Sequence, residues 1–253
     1  MRIDMTGRRV LVTGGSRGIG RAVATLFHEA GARVAVNGAS AQSTAAALAA
    51  LGGGDRLVAA PGSIATLEGC RGVVETAAAA LGGLDILINN AGVADLVPIG
   101  ELDEAAVDAM FDVNVKGVLF CTRFAAPHLA ASGGSIVNIA SISALMGAAQ
   151  DAVYAASKAA VIAITRCHAL ELAPRVRVNA VCPGSVDTDM LHAVAQAWHG
   201  DVTAGLEAFT HGAALRRIAQ PREMAAPVLY LASDLASFVT GSVHVVDGGE
   251  TID

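Results

Sequence analysis

The chain has 253 residues, 53% of them hydrophobic and 16% charged, and a formal net charge of −6. With a mean hydropathy of +0.53, it is too apolar for an intrinsically disordered chain and is able to bury a large core. The acidic balance speaks against a nucleic-acid or anionic-membrane partner, and the 28 glycines follow no G-X-Y period, which excludes collagen.

The N-terminal charges Arg2, Asp4, Arg8 and Arg9 lead directly into a short apolar run, so no secretory leader is expected. Cys70, Cys121, Cys167 and Cys182 form no C-x-x-C pair and lack zinc-like histidine spacing. They read as buried thiols in a reducing compartment. No charged residue lies between Arg123 and Asp151, but Pro127, His128, Gly133, Gly134 and Asn138 interrupt that stretch. A bilayer span needs an unbroken apolar run, so the expectation is a soluble, cytoplasmic protein.

Short β-branched runs alternate with Ala-rich stretches. Arg9–Val12 reads as a strand, followed by a helix from about Gly18 to Ala30 that Gly31 caps. Val34–Val36, an Ala-rich helix ending at Gly52, Leu57–Ala59 and a helix over Leu67–Leu81 come next. Leu84–Ile88 is a strand, and one long helix is expected over 104–130. Ser135–Ile139 is a strand, Ala152–Leu172 a helix and Val176–Val181 a strand. A helix near Arg222–Leu231 and a strand at Val243–Val246 end the pattern. Strands that are apolar on both faces and joined by helices predict an α/β fold, a doubly wound parallel sheet of about seven strands with helices on both faces, in one domain over 1–253. The stretch 185–215 breaks the rhythm and reads as an irregular lid or binding loop.

The first strand runs into Thr13-Gly14-Gly15-Ser16-Arg17-Gly18-Ile19-Gly20. Gly14 permits a left-handed turn. Gly18 and Gly20 allow close approach of a phosphate and of the sheet, and the helix start supplies free N–H groups. The spacing resembles the T-G-x-x-x-G-x-G pattern of the short-chain dehydrogenase/reductase family. Asn89-Asn90-Ala91-Gly92, Ser141, Tyr154-x-x-x-Lys158, Pro183-Gly184 and Val246-Asp247-Gly248-Gly249 also resemble that family, in order along nearly the whole chain.

Tyr154 and Lys158 lie four apart on a helix and share a face. A nearby ammonium favours phenolate, so Lys158 is expected to lower the Tyr154 pKa toward working pH. Tyr154 then exchanges the substrate's hydroxyl proton. The resemblance implies that Lys158 binds the nicotinamide ribose and that Ser141, rather than its neighbour Ser143, holds the substrate oxygen. It implies a structural and proton-relay role for Asn114. It places the cofactor on the glycine loop (Gly14, Ser16, Arg17, Gly18, Ile19, Gly20), and on Ser63, Ile64, Asn90 and Gly92. Pro183, Gly184, Val186 and Thr188 complete that set, and no metal is implied.

Gly38 stands where the family's NAD-binding acidic residue stands, and Ser63 stands where many relatives carry an adenine-contacting Asp. A carboxylate at 38 would repel a 2′-phosphate, so NADP(H) is favoured over NAD(H), with Arg17 and Ser40 as the phosphate's partners. Ile142, Ser143, Met146 and Gln150 are expected to line the substrate pocket with the 185–215 segment, where Trp198 and Phe209 supply an apolar wall or ordinary packing. A small or medium carbonyl or alcohol substrate is favoured. The alternatives are a 3-oxoacyl-carrier-protein reductase, against which the lack of a basic rim argues, and an NAD-dependent alcohol, sugar or steroid dehydrogenase. A non-enzymatic dinucleotide sensor is disfavoured because both Tyr154 and Lys158 are present. The resemblance also implies a homotetramer that buries the helices near 104–130 and 152–172.

Overall fold

Along β1 (Arg9–Val12), Val10 and Val12 enter one apolar cluster while Leu11 enters the cluster on the opposite face. All three are fully buried. A strand covered on both faces has to be apolar at every position, which is why these runs show no alternation. The computed structural model describes residues 3–252, so Arg2 lies outside it.

The seven strands are β1, β2 (Arg33–Val36), β3 (Leu57–Ala59), β4 (Ile86–Asn89), β5 (Ser135–Ile139), β6 (Arg177–Pro183) and β7 (Val243–Val246). They form one parallel sheet in the order β3-β2-β1-β4-β5-β6-β7. Helices α1 (Gly18–Glu29), α2 (Ala41–Ala50) and α9 (Pro221–Ala232) cover the Val10 face. Helices α3 (Leu67–Leu81), α5 (Gly117–Ser132) and α6 (Ala152–Leu172) cover the Leu11 face. The chain order reverses between β1 and β4, which opens a crevice beyond the strands' carboxyl ends.

Four expectations need correction. Strand β4 begins at Ile86 rather than Leu84. Asp85, just before it, is engaged by Arg9, whose backbone N–H and guanidinium both donate to its carboxylate at 2.7–2.9 Å. The helix expected over 104–130 is two, α4 (Glu104–Phe111) and α5, joined by a wide π-type turn at Asp112–Lys116. The stretch 185–215 is not irregular but mostly a helical hairpin, α7 (Asp189–His199) and α8 (Val202–Gly212). Thr188 and Asp201 cap its helices through Leu191 N–H and Ala204 N–H, and Gly200 turns between them at φ +69°. Cys167 is exposed, unlike the other three cysteines. Among the described residues no helix is long and apolar enough to cross a membrane.

Candidate active site

The loop after β1 is built for close approach. Gly14 sits at φ +60°, and a Cβ there would lie 2.7 Å from the Ala91 Cα. The Thr13 hydroxyl accepts from Asn90 N–H and Ala91 N–H, and the Asn90 amide donates to the carbonyls of Thr13 and Gly14. The loops after β1 and β4 are thereby stitched together. Arg17 precedes α1 with an extended backbone and no side-chain cap, so the first-turn N–H groups stay open. An uncapped helix start behind a glycine turn fits a pyrophosphate. At Gly92, a Cβ would come within 3.2 Å of both Asn114 Oδ1 and Lys158 Nζ, so a larger residue would press on both side chains.

Asn37, at the end of β2, was not anticipated as a site residue. It is buried; its oxygen accepts from Gly14 N–H, and its amide donates to the carbonyls of Gly38, Ala60 and Gly62. One side chain thus joins the loops after β1, β2 and β3. An asparagine ending an apolar strand is the available sequence signal, because it supplies donors and an acceptor at once.

At the other end, α6 carries Tyr154 and Lys158. Lys158 is buried, donates to the Ile139 carbonyl at 3.0 Å, and sits 5.6 Å from the centre of the Tyr154 ring. Ser141 follows β5; its oxygen accepts from Ser143 N–H at 3.1 Å, and its hydroxyl favours the phenolate form of Tyr154. The π-type turn carries Asn114 into the interior. There it accepts from Val93 N–H and donates to the Val93 carbonyl and the Ser157 hydroxyl.

The acidities differ from expectation. Burial pushes the Tyr154 phenol up to about 12; the Ser141 hydroxyl opposes the rise and the Asp151 charge adds to it. Burial pushes Lys158 down to about 8. Desolvation therefore governs Tyr154, whose value rises where the ammonium was expected to lower it. Burial also raises the carboxyl of Asp151, against the opposing Ser143 hydroxyl bond.

These features, Asn114 apart, open on one cleft of about 620 Å³. Gly14, Ser16, Arg17, Gly18, Ile19 and Gly20 of the glycine loop line it with Ser63, Ile64, Asn90 and Gly92, as do Pro183, Gly184, Val186 and Thr188. So do Ser141, Ile142, Ser143, Met146, Tyr154, Lys158, Trp198 and Phe209. Asn114 does not line it but braces Val93, which does. Ser40 and Gln150 are not brought to the cleft. The Ser40 hydroxyl instead caps α2 by accepting from Ser43 N–H. Gln150 is exposed at φ +66°, and its neighbour Asp151 faces the cavity in its place. Two acidic residues were missed, Asp151 and Glu250. The Glu250 carboxylate accepts from the N–H and hydroxyl of Ser185 and so holds the loop after β6.

A seven-stranded doubly wound sheet with a glycine cradle and a Ser–Tyr–Lys group at its carboxyl edge defines a dinucleotide-dependent class of oxidoreductase. A family model described as enoyl-(acyl carrier protein) reductase matches residues 14–251. An uncharacterized oxidoreductase of Methylorubrum extorquens is 41% identical over 248 residues, covering 97% of this chain and 98% of the relative. The cis-4-hydroxycyclohexanecarboxylate dehydrogenase of Sinomonas cyclohexanicum is 37% identical over 247 residues, covering 96% of each. A solved short-chain dehydrogenase/reductase from Brucella melitensis, described as glucose/ribitol dehydrogenase, superposes with a TM-score of 0.93 at 32% identity, covering 100% of both chains. The chain belongs to the short-chain dehydrogenase/reductase family and is an oxidoreductase acting on CH–OH groups, in a family that uses a nicotinamide cofactor.

Proposed function

We propose that the protein transfers a hydride between a nicotinamide cofactor and a carbonyl or secondary alcohol, with Tyr154 as general acid and base. The observation that carries this reading is the convergence of Ser141, Tyr154 and Lys158 on the cleft that the uncapped start of α1 also faces. The bound nicotinamide supplies the hydride acceptor or donor. Gly14, Ser16, Arg17, Gly18, Ile19 and Gly20 hold the pyrophosphate end. Ser63, Ile64, Asn90 and Gly92 flank the middle of the cofactor, and Pro183, Gly184, Val186 and Thr188 its nicotinamide end.

A phenol with a pKa of about 12 rests protonated at neutral pH, which suits Tyr154 to donating a proton to a carbonyl. The Ser143 N–H occupies a lone pair of the Ser141 oxygen, leaving the Ser141 hydroxyl free to steady the reacting oxygen. Lys158 carries charge below about pH 8 and stabilises the phenolate that forms. Asn114 is a positioning residue that fixes Val93 and Ser157. The hairpin α7–α8 acts as the lid, with Trp198 and Phe209 facing the cavity. The alicyclic secondary alcohol in the name of the Sinomonas relative supports a substrate of that type.

NADP(H) is the favoured cofactor. Gly38 brings no carboxylate to the end of β2, and the exposed Arg17 guanidinium, 3.6 Å from Asp189, is the cation at that end of the cleft. Ser40 plays no part in this reading. The assembly is a homotetramer formed through the outer faces of α4–α5 and α6, where Leu170 is 84% exposed. Sedimentation of a monomer at micromolar protein would overturn that assembly.

The test is turnover of a cyclic ketone with NADPH by wild type and Tyr154→Phe. A loss of about 10²–10⁴-fold in kcat is expected, and undiminished turnover removes Tyr154 from catalysis. Separate NADPH and NADH titrations decide the cofactor. Tighter NADH overturns the NADP(H) assignment.

A further inference from the structure

Aspartate is a favoured N-cap because its carboxylate satisfies free N–H groups in the first turn of a helix. Asp151 stands at the N-cap of α6, yet its side chain caps nothing there. The residue before it, Gln150, occupies the left-handed region at φ +66°, which is unfavourable for a residue with a Cβ. Its carbonyl is held by Val97 N–H at 3.0 Å. The chain thus gives up a cap and holds a strained residue where it turns Asp151 inward.

Asp151 is 5% exposed and lines the cleft. The neighbouring Ser143 hydroxyl favours its charged form, and among the described residues no salt bridge reaches it. A carboxylate offers about four acceptor sites, so most of this one's capacity is unused. Asp151 stands three residues before Tyr154 at the start of α6, and both residues line the cleft. The neighbouring walls, Ile142, Met146, Trp198 and Phe209, are apolar.

We propose that Asp151 is a specificity residue that accepts a hydrogen bond from a second hydroxyl next to the reacting carbinol, so that the substrate is a vicinal diol, or the matching hydroxyketone, on a hydrocarbon skeleton. A carboxylate at the same position of a ligand is excluded by like charge. This deepens the proposed function and rests on it for the carbon that reacts, but the recognition itself needs no turnover.

Trp198 is the single tryptophan of the chain and lines the same cleft, so its fluorescence reports occupancy directly. Wild-type protein with NADPH, under which an alcohol cannot be oxidised, is titrated with cis-cyclohexane-1,2-diol, cyclohexanol and cis-2-hydroxycyclohexanecarboxylate. The diol is expected to bind about ten-fold or more tighter than cyclohexanol, and the carboxylate to bind weakest. Asp151→Leu removes the diol advantage, and Asp151→Asn relieves the carboxylate's exclusion by about ten-fold. Thermal melts confirm folding, and if the Leu variant fails to fold, the Asn variant and the wild-type series decide. The proposal falls if wild type shows no diol advantage, if that advantage survives in folded Asp151→Leu, or if Asp151→Asn leaves the carboxylate excluded. A diol advantage dependent on Asp151 without any hydride transfer in the ketone assay sinks the proposed function and leaves the recognition standing. Hydride transfer without a diol advantage does the reverse.

Discussion

At the β1–β2 end of the cleft, backbone amides and carbonyls meet through one buried side chain, Asn37, whereas at the β5–β6 end the groups facing the cavity are side chains of shifted acidity: Tyr154, Lys158 and Asp151. The first region recognises shape. It needs glycines where a Cβ would collide, and it tolerates any sequence that keeps the turn. The second region does chemistry, and its properties follow from how far burial moves each ionisable group. Damage should therefore differ in kind, with loss of binding at one end and loss of turnover at the other.

The largest effect that would sharpen this contrast is at Gly14. A Gly14→Val side chain meets Ala91 and forces a β-branched residue to φ +60°. Loss of cofactor binding by about 100-fold or more is expected in a fluorescence titration, and retained affinity would break the contrast. Lys158→Met should cost about 10²–10⁴-fold in kcat yet stabilise the fold. The lysine's value falls from 10.5 to about 8, a penalty on the order of 3 kcal/mol at pH 7. Between about pH 8 and 10.5 the unfolded chain binds more protons than the folded one, so wild-type stability rises with pH there. The variant's advantage in urea denaturation should close across that window, and a pH-independent difference would contradict it.

Asn37→Ala removes the tie among three loops and leaves Gly14 N–H without its partner. A destabilisation of about 3 kcal/mol is expected from denaturation, with a weakened cofactor site as its consequence. The smallest effect is at Trp198, whose ring lies 6.0 Å from that of Phe209 and faces the cavity. Trp198→Ala should raise KM by about 3–10-fold with little change in melting temperature. A collapse of stability would make the ring a packing element instead.

The helix bounds at Leu67–Leu81 and Ala152–Leu172 agree with the periodicity, and so do the strands Ser135–Ile139 and Val243–Val246. The two helices are long and the two strands are β-branched at most positions, so local pattern suffices to place them. The π-type turn at Asp112–Lys116 was not legible, because nothing in an apolar helical repeat marks the extra residue that carries Asn114 inward. The α7–α8 hairpin was legible in part: Thr188, Gly200 and Asp201 are sound cap and turn signals. Its helices are only 11 residues each and contain few strong apolar positions, so the punctuation was outweighed. Of the site, the glycine loop and the Tyr154–Lys158 pair were readable from their spacing together with the family resemblance. Ser40 and Gln150 were misplaced because sequence neighbourhood does not say which way a side chain turns at a helix start.

What the sequence by itself determined is the order of strands and helices, the glycine turn and the shared face of Tyr154 and Lys158. All of these depend on residues within a few positions of one another. The tertiary structure decided the rest. It gave Ser40 to a helix cap, left Arg17 exposed at the lip and turned Asp151 into the cleft. It also set Tyr154 near 12 and Lys158 near 8. Those outcomes rest on desolvation and on contacts between segments far apart in the chain, which no local pattern encodes.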